Sequence, residues 1–206
     1  SNDLPAQRQG EVLHRYVLGL YNVLNAIVEQ YPDLLIESCS GGGGRFDAGM
    51  LYYAPQAWCS DNTDAIDRIK IQYGSSFGYP ISSVGSHVSV CPNEQTGRTV
   101  PIETRGAVAM AGTFGYELDL TQMNDADKEA VKIQIEQYKK YADIIREGQY
   151  YRITNPMENT EFAAWEFVSE GKEQALMFYT ALNSNSNGRV HLLKFKGLDP
   201  EKIYVI

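Results

Sequence analysis

The residues best suited to chemistry fall within one stretch, 37–64. Trp58-Cys59-Ser60-Asp61-Asn62-Thr63-Asp64 sets a carboxylate beside a tryptophan, after a short apolar strand at 57–59 and before a helix. Catalytic groups of barrel proteins sit at strand C-terminal ends. A carboxyl shielded there by apolar neighbours has a raised pKa and donates a proton. Asp61 has a second reading, the N-cap of the following helix, and both stand. Asp64 and Asp67 read as solvent-facing residues of that helix's first turns. Upstream, Glu37-Ser38-Cys39-Ser40 runs into four glycines, 41–44. Such a run lets backbone N–H groups come close to a compact ligand such as a sugar ring, or is a flexible turn. Cys39 is placed either to touch that ligand or to be an inert buried thiol. Glu37, at a strand end, can point into a site, and Asp47 can fix the loop through Arg45. Both read first as structural.

Other chemistries fit poorly. A phosphate loop needs Gly-Lys-Ser/Thr, whereas Arg45-Phe46-Asp47 follows here. A dinucleotide fingerprint needs its glycines to open a helix, and 48–55 does not read as one. His14 lies on a helix, His87 at a strand end and His191 in a later β segment, so no Ser–His–Asp set forms. Neither a GxSxG elbow nor HExxH occurs. No metal or cofactor site is expected.

Stepping strands and helices must carry these groups. Apolar residues from Val12 to Val28 recur at three- and four-residue steps, which predicts a helix over 11–30 packed on a sheet. Pro32-Asp33 ends it, and Leu34-Leu35-Ile36 reads as a buried strand. A helix over 64–73, a strand about Val84, Val88 and Val90, and a small-residue strand at 107–114 follow. Val131, Ile135, Tyr138, Ala142 and Ile145 predict a helix over 125–147. After Gly148 the pattern changes to strands at 150–153, 163–168, 174–181, 190–196 and 203–206, separated by turns. The reading is an α/β unit with parallel strands over 1–148 and antiparallel β structure over 149–206.

Composition narrows the class. With 206 residues, the chain buries about 70% of its unfolded surface and needs no staple. Eighteen basic against 26 acidic residues leave a net charge of −8, which disfavours nucleic acid and anionic membranes. No apolar run approaches the ~20 residues of a membrane span. Three cysteines are neither a disulfide framework nor a paired zinc set. With the polar stretch 1–10, which lacks a signal pattern, they read as reduced thiols of a cytoplasmic protein.

Taken together, the segment 37–47, Gly49-Met50-Leu51-Tyr52-Tyr53 and Trp58 to Ala65 resemble the bacterial α-galactosidases of glycoside hydrolase family 36. Ile71-Gln72-Tyr73-Gly74, Gly85-Ser86-His87-Val88-Ser89, Glu103-Thr104-Arg105-Gly106, Gly112 to Glu117 and Gly197 to Lys202 extend the likeness over essentially the whole chain. The resemblance implies retaining hydrolysis of terminal α-linked galactose from melibiose- and raffinose-type oligosaccharides. It implies Asp61 as the general acid/base, and Cys39, Gly42 and Trp58 in the galactose pocket. The implied fold is α/β: the second half of a (β/α)8 TIM barrel followed by part of an antiparallel β-sandwich domain. The family's nucleophile is an aspartate in a Lys-Trp-Asp segment. Neither Trp58 nor Trp165 is followed by Asp, so these residues are expected to lie downstream of it and to be inactive alone. A half-barrel with open edges is also expected to form homo-oligomers. The alternatives are a non-catalytic galactoside-binding or oligomerisation module, and galactosyl transfer on the same scaffold.

Overall fold

A computed structural model describes residues 4–184, 186–188 and 190–206. The first element is α1, Gln9–Gln30, ending where Tyr31 and Pro32 leave the helix. Its stripe predicts burial on a sheet, and the structure corrects this. None of its residues is buried, and Leu13 is 73% exposed. Its contacts run to α2, Ala48–Tyr53, where the Tyr21 hydroxyl donates to Asp47 Oδ1 at 3.3 Å. That second helix was expected to be non-helical. It forms because Asp47 caps it, accepting from Met50 N at 2.9 Å, and because Gly49 leaves room for the Tyr21 ring.

Four short parallel strands follow one another in space. They are β1, Glu37–Ser38; β2, Gln56–Ala57; β3, Gly85–Ser89; and β4, Thr113–Glu117. Glu37 pairs with Gln56, a parallel bridge joins Ala57 to Val84, and Gly85–Ser89 registers with Thr113–Glu117. Helices alternate with them: α3, Ala65–Ser75; α4, Ile102–Ala109; and α5, Asp125–Glu147. This alternation is the α/β cadence.

Two strand expectations fail here. Leu34 to Ile36 lie outside any strand, with Leu35 86% exposed, because β1 pairs on one side only among the described residues. Residues 107–109 finish α4, and β4 starts at Thr113. Small apolar residues suit a helix face against a sheet as well as a strand, and periodicity cannot separate short runs. Gly112 then turns the chain tightly past Val84 O.

After α5 the chain forms an antiparallel sheet of β5, Gln149–Arg152; β6, Phe162–Val168; and β7, Ala175–Ala181. Central β6 is buried along nearly its whole length. One core joins the two parts: Ile69, Val84, Val108 and Ile145 pack with Ala163, Trp165 and Phe167. Arg152 ties the new sheet to the end of α3, donating from Nε to Ser76 Oγ at 2.8 Å. The strands expected at 190–196 and 203–206 are absent among the described residues. Leu192 is 87% exposed and Val205 97%, since no neighbour strand receives their alternating pattern. Lys196 N does reach Glu166 Oε2 at 3.0 Å.

Candidate active site

Each parallel strand ends by delivering polar residues to one open cleft of about 850 Å³. From β1 come Glu37 and Cys39; from beyond β2, Trp58, Asp61 and Thr63. Ser89 and Val90 end β3, with Glu94 and Gln95 in the next loop. Glu117, Leu118, Asp119 and Gln122 follow β4. The C-terminal edge of parallel strands is where α/β folds place ligands.

The glycine run packs behind the near wall; Gly42, expected in the pocket, is not among the residues that line the cleft. Ser40, Gly41, Gly42 and Gly43 all have positive φ, a backbone shape that L side chains rarely adopt. The loop folds back onto the end of β2. A Cβ at Gly42 would lie 2.6 Å from Asp61 N, and one at Gly43 2.7 Å from Cys59 O. The close approach expected of these glycines is thus made first to the chain's own strand end. A helix does follow the run, yet Asp47 holds its N-terminus with a carboxylate where a phosphate would need to sit. Asp47 contacts Met50 N and Tyr21 rather than Arg45, which donates to the Tyr16 hydroxyl at 2.9 Å.

The two readings of Asp61 are now separable. Asp64 is the cap of α3, its Oδ1 accepting from Ile66 N at 2.9 Å and Asp67 N at 3.0 Å. Contrary to expectation, Asp64 is 1% exposed. Burial alone would raise its pKa. The Asp67 N–H, the Thr96 hydroxyl and the Arg98 guanidinium outweigh that and hold it below the usual carboxylate value. Asp61 is left uncommitted: among the described residues its carboxylate has no hydrogen-bond partner. It is also exposed, so the apolar shielding expected for it is missing among these residues. Cys39 is exposed on the cleft, which removes the buried-thiol reading.

Trp58 is half-buried and stacks on His87, with centroids 4.2 Å apart and planes 16° off parallel. The imidazole lies across its register partner Gly115, where a Cβ would come within 2.8 Å of His87 Cδ2. Burial lowers the His87 pKa, against the pull of Glu37 and Glu117, so the ring against Trp58 is neutral at pH 7. Among the described residues the buried His87 Nδ1 has no hydrogen-bond partner. Arg68 lies 5.6 Å from the centre of the Trp58 ring and donates to Gly85 O at 2.6 Å.

The cleft lining carries five carboxylates and neither Lys nor Arg. Such a surface repels phosphates and accepts hydrogen bonds from hydroxyl groups, which suits a neutral polyol. Among the described residues no group of three or more His, Cys, Asp and Glu could hold a metal ion, and no helix is long and apolar enough to cross a membrane. The far wall, from Ser89 to Gln122, was not foreseen. Its sequence signal is that Ser89 and Glu117 end two of the segments, 85–89 and 112–117, that carry the family resemblance.

The chain is similar to known proteins over its full length. The Melibiase family matches residues 1–148, and the glycosyl hydrolase family 36 C-terminal domain matches 162–206. Alpha-galactosidase AgaA of Geobacillus stearothermophilus is 50% identical over all of this chain, which spans 28% of that protein. Alpha-galactosidase Mel36A of Lactobacillus acidophilus is 52% identical over 98% of the chain and 28% of its own length. A crystal structure of an AgaA variant in complex with raffinose superposes with a TM-score of 0.91 at 50% identity, covering 97% of this chain and 28% of that one. The chain thus spans about a quarter of the length of these relatives. With two consecutive family matches and half-identity throughout, the chain belongs to glycoside hydrolase family 36.

Proposed function

We propose that these residues are the acid/base-bearing part of a retaining α-galactosidase acting on melibiose- and raffinose-type oligosaccharides. The four parallel strands and their helices, residues 1–148, are half of a (β/α)8 barrel, and 149–206 begin an antiparallel β domain. The observation that carries the reading is Asp61: a carboxylate free of other duties, at a strand end, against Gly42 and in an anion-repelling cleft. Asp61 gives its proton to the glycosidic oxygen as the bond to the anomeric carbon breaks. It later takes a proton from the water that releases galactose. Trp58, braced by neutral His87, offers an apolar ring to the sugar, while Cys39 faces it from the near wall and Gly42 backs Asp61. The attacking carboxylate belongs about 5–5.5 Å away in a retaining enzyme. It is assigned to a Lys-Trp-Asp segment, and this chain has none. Free Cys39, Cys59 and Cys91 support a reducing, cytoplasmic setting.

The test is an aryl α-galactoside assay of this chain alone, and of this chain joined to the upstream and downstream parts of AgaA. The joined protein turns over and the chain alone does not. Asp61→Asn lowers kcat/KM of the joined protein by roughly 10²–10⁴-fold on sugar leaving groups. Turnover by the isolated chain that disappears in Asp61→Asn would show that a nucleophile lies within these residues, with Glu37 the first suspect. A second reading, self-association, is favoured by the bare apolar side of α1. It predicts a dimer or larger species of the isolated chain in sedimentation, and a monodisperse monomer would end it.

A further inference from the structure

With no side-chain partner among the described residues, the Asp61 carboxylate takes its direction from its backbone. Gly42 packs against one side of that backbone, and Gln95 holds the other. Gln95 Nε2 donates to Asp61 O at 2.5 Å, and Gln95 Oε1 accepts from Thr63 N at 3.0 Å. Only this orientation of the amide satisfies both partners. One side chain therefore serves a C=O and an N–H two residues apart, as a neighbouring strand would, just past the point where β2 pairing stops. Gln95 is itself exposed, but its loop is fixed from below. Asn93 is buried, its Oδ1 accepting from Gln95 N at 3.0 Å and its Nδ2 donating to Thr63 Oγ1 at 3.0 Å. Thr96 adds a bond from Oγ1 to Asp64 Oδ2 at 2.8 Å. The whole loop is thus anchored on the segment that carries Asp61.

We propose that Gln95 is a positioning residue that aims Asp61 at the glycosidic oxygen by holding the main chain on both sides of Asn62. The proposal rests on the reading of Asp61 as proton donor. A misaimed acid hurts poor leaving groups, which need the proton, far more than good ones, which leave without it. General fold damage lowers both alike.

The experiment uses the full-length chimera in which this chain replaces the matching stretch of AgaA. kcat/KM, which reports bond cleavage rather than release of the galactosyl intermediate, is measured on melibiose and on a dinitrophenyl α-galactoside. Gln95→Met keeps the length and removes both bonds. It is expected to lose roughly 10-fold on melibiose and less than about 3-fold on the dinitrophenyl substrate. Gln95→Glu keeps an acceptor for Thr63 N, loses the donor to Asp61 O, and gives the same split. Its added negative charge also moves the alkaline limb of the pH profile upward. Having one variant of each kind covers the case in which Gln95→Met fails to fold. Equal losses on both substrates, or no loss on either, overturn the proposal. Asp61→Asn is run alongside. If it shows the leaving-group split and the Gln95 variants do not, the role of Gln95 alone is refuted. If Asp61→Asn leaves melibiose cleavage intact, the acid assignment fails and takes Gln95 with it.

Discussion

Replacing Gly42 by alanine separates backbone strain from displacement of Asp61. Gly42 has φ +71, so any side chain there costs about 1–2 kcal/mol. The new Cβ would also meet Asp61 N at 2.6 Å, where ordinary contact begins at 3.4 Å, so the two must part by about 0.8 Å. The obstacle is backbone, with no flexible tip to swing aside. A misplacement of about 1 Å costs on the order of 10²-fold in rate. Gly42→Ala in the AgaA chimera should therefore lower kcat/KM on melibiose by roughly 50–100-fold. Gly41→Ala is the matched control: φ is +60, and its Cβ would meet nothing within 4 Å. Both variants should lower Tm through strain, and only Gly42→Ala should lose most of its activity. Equal activities for the two variants would refute the claim that the glycine loop sets the place of Asp61.

Asp64→Asn keeps an effective cap and drops the charge. The folded-state pKa of Asp64 is depressed, so its contribution is present above the unfolded value of about 4 and is lost as pH falls through the folded one. Thermal melts of the variant should decline less on acidification than those of the parent. Glu166 is fully buried and burial raises its pKa, so its contribution has the opposite sign. Its stability is present below the unfolded pKa and is lost as pH rises through the folded one. Glu166→Gln should melt higher than the parent at pH 7 and closer to it near pH 4, and a constant offset would contradict this. Phe167→Ala, at a side chain with 0% exposure, should cost about 3–5 kcal/mol and be read as a loss of Tm.

The periodic helices were legible because a long stripe is hard to mistake. The five apolar residues from Val131 to Ile145 predict α5 over the same residues that the structure shows. Short apolar runs were not. Residues 107–109 could serve strand or helix, and their packing against β3 decided for the helix. Residues 190–196 carry a strand pattern that meets no partner among the described residues. On the near side of the cleft, Cys39, Gly42, Trp58 and Asp61 lie within 23 residues, and local order brings them together. The choice between Asp61 and Asp64 as cap was not local: Thr96 and Arg98, more than thirty residues away, hold Asp64. The far wall stayed hidden for the same reason, since only the parallel order of β2, β3 and β4 sets Gln95 and Glu117 around one opening.

The two walls of the cleft differ in how much change they tolerate. Behind the near wall, positive φ and backbone contacts under 3 Å leave Gly42 and Gly43 almost no alternative residue. Across from it, Glu94 and Asp119 sit in loops, Glu117 ends β4 and Gln122 lies in the short helical turn after it; Asp119 accepts from Thr121 N at 2.9 Å. Drift or design that alters what the cleft holds therefore has more room on that side.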